Sequence, residues 1–194
     1  IAKANDYIRS ELYFSLPSQN GRPSVVSVGH AHLDIAWMWQ TKHSKRKAAR
    51  TCANSVRLME LYPEYHFLQS QALLYKYIQE LYPSLFARMK EKIANGQWEV
   101  TGGMWVEPDC NLPNGESLVR QFLFGKRYFQ KKFGIDVQVV WLPDGFGFCY
   151  SLPQIIKKSG MRYFMTTKLS WSQFTKIPYD TFYWQGVDRT RILT

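Results

Sequence analysis

Short apolar runs alternate with longer stretches of helical periodicity along most of the chain, and that alternation leaves few folds open. Val25–Val28, Tyr65–Leu68, Trp98–Thr101, Val137–Trp141 and Tyr163–Met165 read as strands. Lys45–Leu61, Ala72–Leu81, Pro83–Ala94, Glu116–Phe133 and Leu152–Lys158 read as the helices between them. Asn95-Gly96, Gly134 and Gly160 follow helices, where a residue that accepts the left-handed conformation ends the last turn. Strand and helix in strict turn build parallel sheets. Thr181–Leu193 departs from the pattern and reads as a hairpin turning near Asp188, with the chain stopping in mid-strand at Thr194. Residues 1–23 read as an N-terminal helix (Ala2–Leu12) and a connector, and 24–194 as one α/β unit that is incomplete.

Composition narrows the function classes. With 194 residues, 45% of them hydrophobic, the chain can bury a core and is not a disordered tail. No apolar run reaches the roughly 18 residues of a membrane span, and no apolar stretch at the N-terminus suggests a secretory signal. Cys52, Cys110 and Cys149 are odd in number and widely spaced, which suits reduced thiols and a cytoplasmic protein. The net charge of +10 is gathered at Lys42, Lys45, Arg46, Lys47 and Arg50, and at Arg120, Lys126, Arg127, Lys131 and Lys132. Apolar residues recur between them at helical steps (Ala48, Cys52, Val56 and Met59; Leu118, Phe122, Gly125, Phe129 and Phe133). The charges therefore read as the solvated faces of two amphipathic helices rather than a nucleic-acid surface.

In parallel α/β proteins ligands meet the carboxyl ends of the strands. His30, His32 and Asp34 follow the first strand at alternate positions, and on extended backbone they would point to one side. Imidazoles and a carboxylate together make a divalent-metal constellation, whereas a lone histidine would more often be a hydrogen-bonded core residue. Asp144 follows the fourth strand before the glycine-rich Gly145-Phe146-Gly147, where an Asx turn or helix cap is the competing reading. Paired with the first motif, Asp144 reads as the third ligand. Glu107 and Asp109 follow the third strand, with Trp105 and Trp37 as nearby aromatics. Carboxylates flanked by aromatic faces suit a sugar, although core packing is the commoner role for any single tryptophan.

The segments His30–Trp37, Gly102–Asp109, Trp141–Gly147 and Thr167–Trp171, in this order, resemble the glycoside hydrolase family 38 α-mannosidases, most closely the cytosolic and bacterial branch. The resemblance runs from about Ser24 to the C-terminus. It implies the N-terminal part of a (β/α)7 barrel, incomplete in this chain, and a retaining mechanism on terminal α-mannosyl residues of oligosaccharides. One Zn²⁺ is implied, with Co²⁺ or another divalent ion as an alternative. Matched position by position, His32, Asp34 and Asp144 would be zinc ligands, Asp144 also the nucleophile, and Trp37 the platform for the mannose ring. Lys168 falls where related enzymes can carry an arginine. Lys168, Glu107, Asp109 and Trp105 are assigned to substrate binding, and His30 to support behind the ligands. Gly145 is a departure, since the family pattern leads one to expect a larger or β-branched residue there.

These matches imply an oligosaccharide partner, no nucleic acid or membrane partner, and leave homo-oligomerisation open. The general acid and a fourth zinc ligand are expected beyond Thr194, so that the chain alone would not turn over. Two other readings compete. A metal-dependent amidohydrolase would use the His30/His32 pair, and a basic nucleic-acid-binding domain would use the helical charge. The metal reading fails if His32 and Asp144 stand more than about 8 Å apart with no rotamer that brings both to ligand bonds of about 2.0–2.2 Å.

Overall fold

A computed structural model describes residues 25–194. The helix and connector expected over residues 1–23 lie outside the described residues. Strands β1 (Gly29–His30), β2 (Phe67–Gln69) and β3 (Trp98–Val100) form a parallel sheet in that order. Strands β4 (Val139–Trp141), β5 (Tyr163–Met165), β6 (Tyr183–Gln185) and β7 (Arg191–Leu193) form a second sheet in the order β4-β5-β7-β6. Within it β5 is parallel to β4 and β7, while β6 and β7 are the antiparallel arms of the expected hairpin. Its turn is closed by Gly186 N–H donating to Thr190 O (2.9 Å) and Thr190 N–H donating to Asp188 Oδ1 (3.0 Å).

The helices are α1 (Thr41–Leu61), α2 (Ala72–Leu81), α3 (Pro83–Ala94), α4 (Gly115–Phe133) and α5 (Leu152–Lys158), and a 3₁₀ turn spans Lys168–Trp171. The architecture is thus mixed α/β with parallel strands. It departs from the sequence reading in having its parallel strands in two sheets instead of one. The sheets meet where Gly102 N–H donates to Val139 O at 3.0 Å. The expected first strand also moves: Val25 and Val26 are 88% and 87% exposed, and β1 begins at Gly29. Apolar character alone does not make a strand. The ladder partner opposite starts at Phe67, which pairs with Gly29.

The core is built by residues that the periodicity selects. On α1 it takes Ala48, Cys52, Val56 and Met59; on α4 it takes Leu118, Phe122, Gly125 and Phe129. Tyr75 of α2 lies between Trp98 and Phe129 in edge-to-face contacts, and its hydroxyl accepts from Trp98 Nε1–H at 3.0 Å. The basic residues lie mostly on the opposite, exposed faces of α1 and α4, as an amphipathic helix requires. All three cysteines are free. No helix among the described residues is long and apolar enough to cross a membrane.

Helix α4 is well delimited: Asn114 Oδ1 accepts from Ser117 N–H (2.8 Å), and Gly134 closes the helix at φ 71°. Gly125, in its middle, packs directly on the backbone of Gly103 and Met104, so a Cβ there would collide with main-chain atoms. Gly125→Ala should therefore destabilise by about 1–3 kcal/mol, as overpacking does, although alanine is the better helix former by roughly 1 kcal/mol. A lowered thermal midpoint checks this; an unchanged or raised one would show that α4 can shift away.

Candidate active site

Beyond His30 the chain leaves the sheet, and residues 31–34 cross the carboxyl ends of the strands without a ladder partner. Side chains at the end of β2 supply the missing bonds. Gln69 Nε2 donates to Ala31 O (3.1 Å) and Gln71 Nε2 to Leu33 O (2.9 Å). Gln69, Ser70 and Gln71 are all at most 2% exposed, and Gln71 holds a left-handed backbone at φ 60°. A glutamine in that region stores strain that the surrounding bonds must hold. Its side chain also accepts from Glu107 N–H through Oε1 (3.2 Å), which couples the loop after β3 to the loop after β1.

This bracing sets His32 among carboxylates. Nε2 lies 3.2 Å from Asp34 Oδ1 and 3.4 Å from Asp144 Oδ2. Ligands bound at about 2.0–2.2 Å to a tetrahedral ion stand roughly 3.3–3.6 Å apart, so this donor set fits a divalent cation. Ligand atoms from His32, Asp34 and Asp144 all fall within 4.8 Å of one another. On the other side of the ring, Nδ1 lies 2.6 Å from Glu107 Oε2. Contact with Glu107, reinforced by Asp34 and opposed by burial, raises the His32 pKa to about 9. The remaining Asp144 oxygen, Oδ1, receives Lys168 Nζ at 2.5 Å. The same ammonium sits over the rings of Trp171 (3.2 Å) and Phe146 (4.5 Å).

A cavity of about 320 Å³ opens here, lined by His32, Asp34, Trp37, Glu107, Asp109 and Asp144, with Phe146 on its wall. That volume lies within the roughly 300–1,000 Å³ of small-molecule sites. Trp37 is 67% exposed, and its ring meets Trp39 edge-on at 5.2 Å. Trp39 is itself tied by Nε1–H to Ser44 Oγ (3.0 Å). A larger cavity, about 630 Å³, lies between β5 and residues 176–182, away from the carboxylate cluster.

Other expected residues fall elsewhere. His30 does not share the face of His32, because alternation ends with the strand. Its Nδ1 pairs with Leu68 O (3.2 Å), and its Nε2 accepts from Trp141 Nε1–H (3.1 Å). Burial lowers its pKa. With both nitrogens engaged, the His30/His32 pair that an amidohydrolase would need is not available. Trp105 packs against Phe124 and Tyr128 of α4 and does not line the cavity. Asp109 lines it, but its Oδ1 accepts from the backbone N–H groups of Leu112 and Asn111 (both 2.8 Å), which holds the carboxyl below its usual range. Gly145 has a local reason, since a Cβ would strike the Phe148 ring. The sequence reading passed over Ser70, Gln71 and Phe146. A polar triplet that begins on the last residue of a buried strand is the signal that marks the first two.

Residues 22–194 match the family described as glycosyl hydrolases family 38, N-terminal domain. The chain is 44% identical over 182 residues to alpha-mannosidase G of Dictyostelium discoideum, covering 94% of this chain and 17% of that protein. It is 41% identical over 181 residues to alpha-mannosidase 2C1 of Homo sapiens, covering 93% of this chain and 17% of that protein. The chain thus spans about a sixth of the curated relatives' length. A crystal structure of an alpha-mannosidase from Enterococcus faecalis V583 superposes with a TM-score of 0.74 at 24% identity, over 86% of this chain and 19% of that one. That likeness concerns the fold.

The raised His32 pKa has a measurable consequence. Without a metal the ring is protonated at pH 7 and stays so until pH passes about 9. A cation that takes Nε2 must displace that proton, so binding at pH 7 should release roughly one proton per ion, and affinity should rise with pH up to about 9. Calorimetry in buffers of different ionisation enthalpy measures the proton count. A value near zero at pH 7 would mean that Nε2 is not a ligand.

Proposed function

The chain belongs to glycosyl hydrolase family 38, and on that premise we propose that residues 24–194 supply the N-terminal part of the catalytic (β/α)7 barrel of a retaining, zinc-dependent α-mannosidase. Its substrates are terminal α-mannosyl residues of oligosaccharides, and its compartment is the cytoplasm. The observation that carries this reading is the convergence of His32, Asp34 and Asp144 beside an exposed tryptophan in one sugar-sized cavity.

The chemistry follows from how Asp144 is held. One of its oxygens faces His32 and the other faces Lys168, so the carboxylate is fixed before substrate arrives. Asp144 attacks the anomeric carbon; a C–O bond forms to the enzyme as the bond to the aglycone oxygen breaks. A second carboxylic acid gives its proton to that oxygen and then takes one from the water that hydrolyses the ester. The family resemblance places that acid beyond Thr194, and neither Glu107 nor Asp109 falls at the family's acid position. Trp37 offers its face to the apolar side of the pyranose. Zinc held by His32, Asp34 and Asp144 would supply Lewis-acid stabilisation and a template for substrate hydroxyls.

In the full-length protein, Asp144→Asn should lower kcat by several orders of magnitude, on the scale seen when a nucleophile is removed, with far less change in substrate affinity. Trp37→Ala should raise KM as well, because stacking also holds the ground state. Steady-state kinetics on an aryl α-mannoside, with NMR of the first-formed anomer, checks both. An inverted product, or equal and modest effects of the two substitutions, would overturn these roles.

A further inference from the structure

Glu107 carries an inference beyond contact with sugar, and it rests on the metal-site reading above. Its side chain is only 7% exposed. Among the described residues no lysine or arginine pairs with it, and His32 is its one ionic partner. A buried carboxylate in that position must be matched by nearby donors. Oε1 accepts from the Ser70 hydroxyl, and the Glu107 backbone N–H is held by Gln71 Oε1 at 3.2 Å. Oε2 is left facing His32 Nδ1 at 2.6 Å. The approach is oblique for a hydrogen bond, yet neither atom has any other partner. Across the same ring, Nε2 is the atom turned to Asp34 and Asp144.

The geometry points to Glu107 as a positioning residue that grips His32 by Nδ1 so that Nε2 is presented to a divalent cation, rather than as a contact for substrate. The arrangement is a carboxylate–histidine–metal line, with its carboxylate fixed in turn by Ser70 and Gln71 from the end of β2. Two strand ends thereby set one ligand: β1 delivers the ring, and β3 sets its rotation and the nitrogen that carries the proton. Such supporting partners are worth about 10–100-fold in metal affinity. The same network explains why Gln71 keeps its left-handed backbone: it is the bridge that holds the loops after β1 and β3 together.

The test uses the full-length protein, stripped of metal and titrated with Zn²⁺ against a chromophoric chelator. Glu107→Gln keeps the shape and removes the charge. Titrated above about pH 9, where no proton competes for Nε2 in either protein, it should raise the zinc dissociation constant about 10–100-fold, while saturating zinc restores a near-parental KM. An unchanged dissociation constant with a raised KM would overturn the proposal and make Glu107 a substrate contact. Should Glu107→Gln fail to fold, Ser70→Ala loosens the carboxylate while leaving its charge. It should weaken zinc several-fold in the same direction, and no weakening would overturn the proposal. A parent protein that binds no stoichiometric zinc would overturn this inference together with the metal reading; zinc binding that ignores Glu107 and Ser70 would overturn this inference alone.

Discussion

Buried main-chain carbonyls have to be paired, and that requirement organises the site. Once β1 ends, the carbonyls of Ala31 and Leu33 point into the protein with no strand beside them. Gln69 and Gln71 reach up from β2 and satisfy both. The loop that carries His32 and Asp34 is therefore tied to the end of β2 by side chains, where the strand before it is tied by backbone. Leaving either carbonyl unpaired would cost about 1–3 kcal/mol, and the loop would find another path. The polar triplet Gln69-Ser70-Gln71 is buried for this purpose, at the depth where its neighbours Phe67 and Leu68 are apolar.

With the loop in place, charge decides what the cluster can be. His32 has Glu107 on one edge and Asp34 and Asp144 on the other. One imidazole cannot balance that much negative charge, even though its pKa is raised to about 9. Lys168 compensates only the far oxygen of Asp144. A divalent cation between Nε2 and the two aspartates would complete the balance, and its charge would then displace the proton from His32.

The position of the site follows from the break between the two sheets. Asp34 and Glu107 come from loops above β1 and β3, whereas Asp144 and Lys168 come from loops above β4 and β5. The sheets are joined through Gly102 and Val139, and a parallel bridge between Cys110 and Phe148 ties the next segments together. Side chains that could hold a cation thus converge over the seam from separate sheets. The helices enforce the approach, because Gly125 lets α4 settle onto the backbone of Gly103 and Met104.

Much of this was legible in the sequence. Helical periodicity marked Leu118, Phe122, Gly125 and Phe129 as an inward stripe, and the alternation of strands and helices located the loops that bear His32, Asp34 and Asp144. Both are local properties: side-chain spacing follows from the period of the backbone, and a strand end is bounded by its own residues. Tertiary structure alone decided the rest. His30 and His32 look equivalent in a His-x-His pair, but Trp141, distant in sequence, occupies one and leaves the other free. Trp105 and Trp37 both lie beyond strand ends beside carboxylates, but α4 covers the first. Glu107 could face substrate or the back of a ligand, and the choice fell to Ser70, Gln71 and His32, which are adjacent only after folding. Chemical type is written in the residue, but partnership depends on which long-range neighbour reaches it, and that is a property of the packed chain.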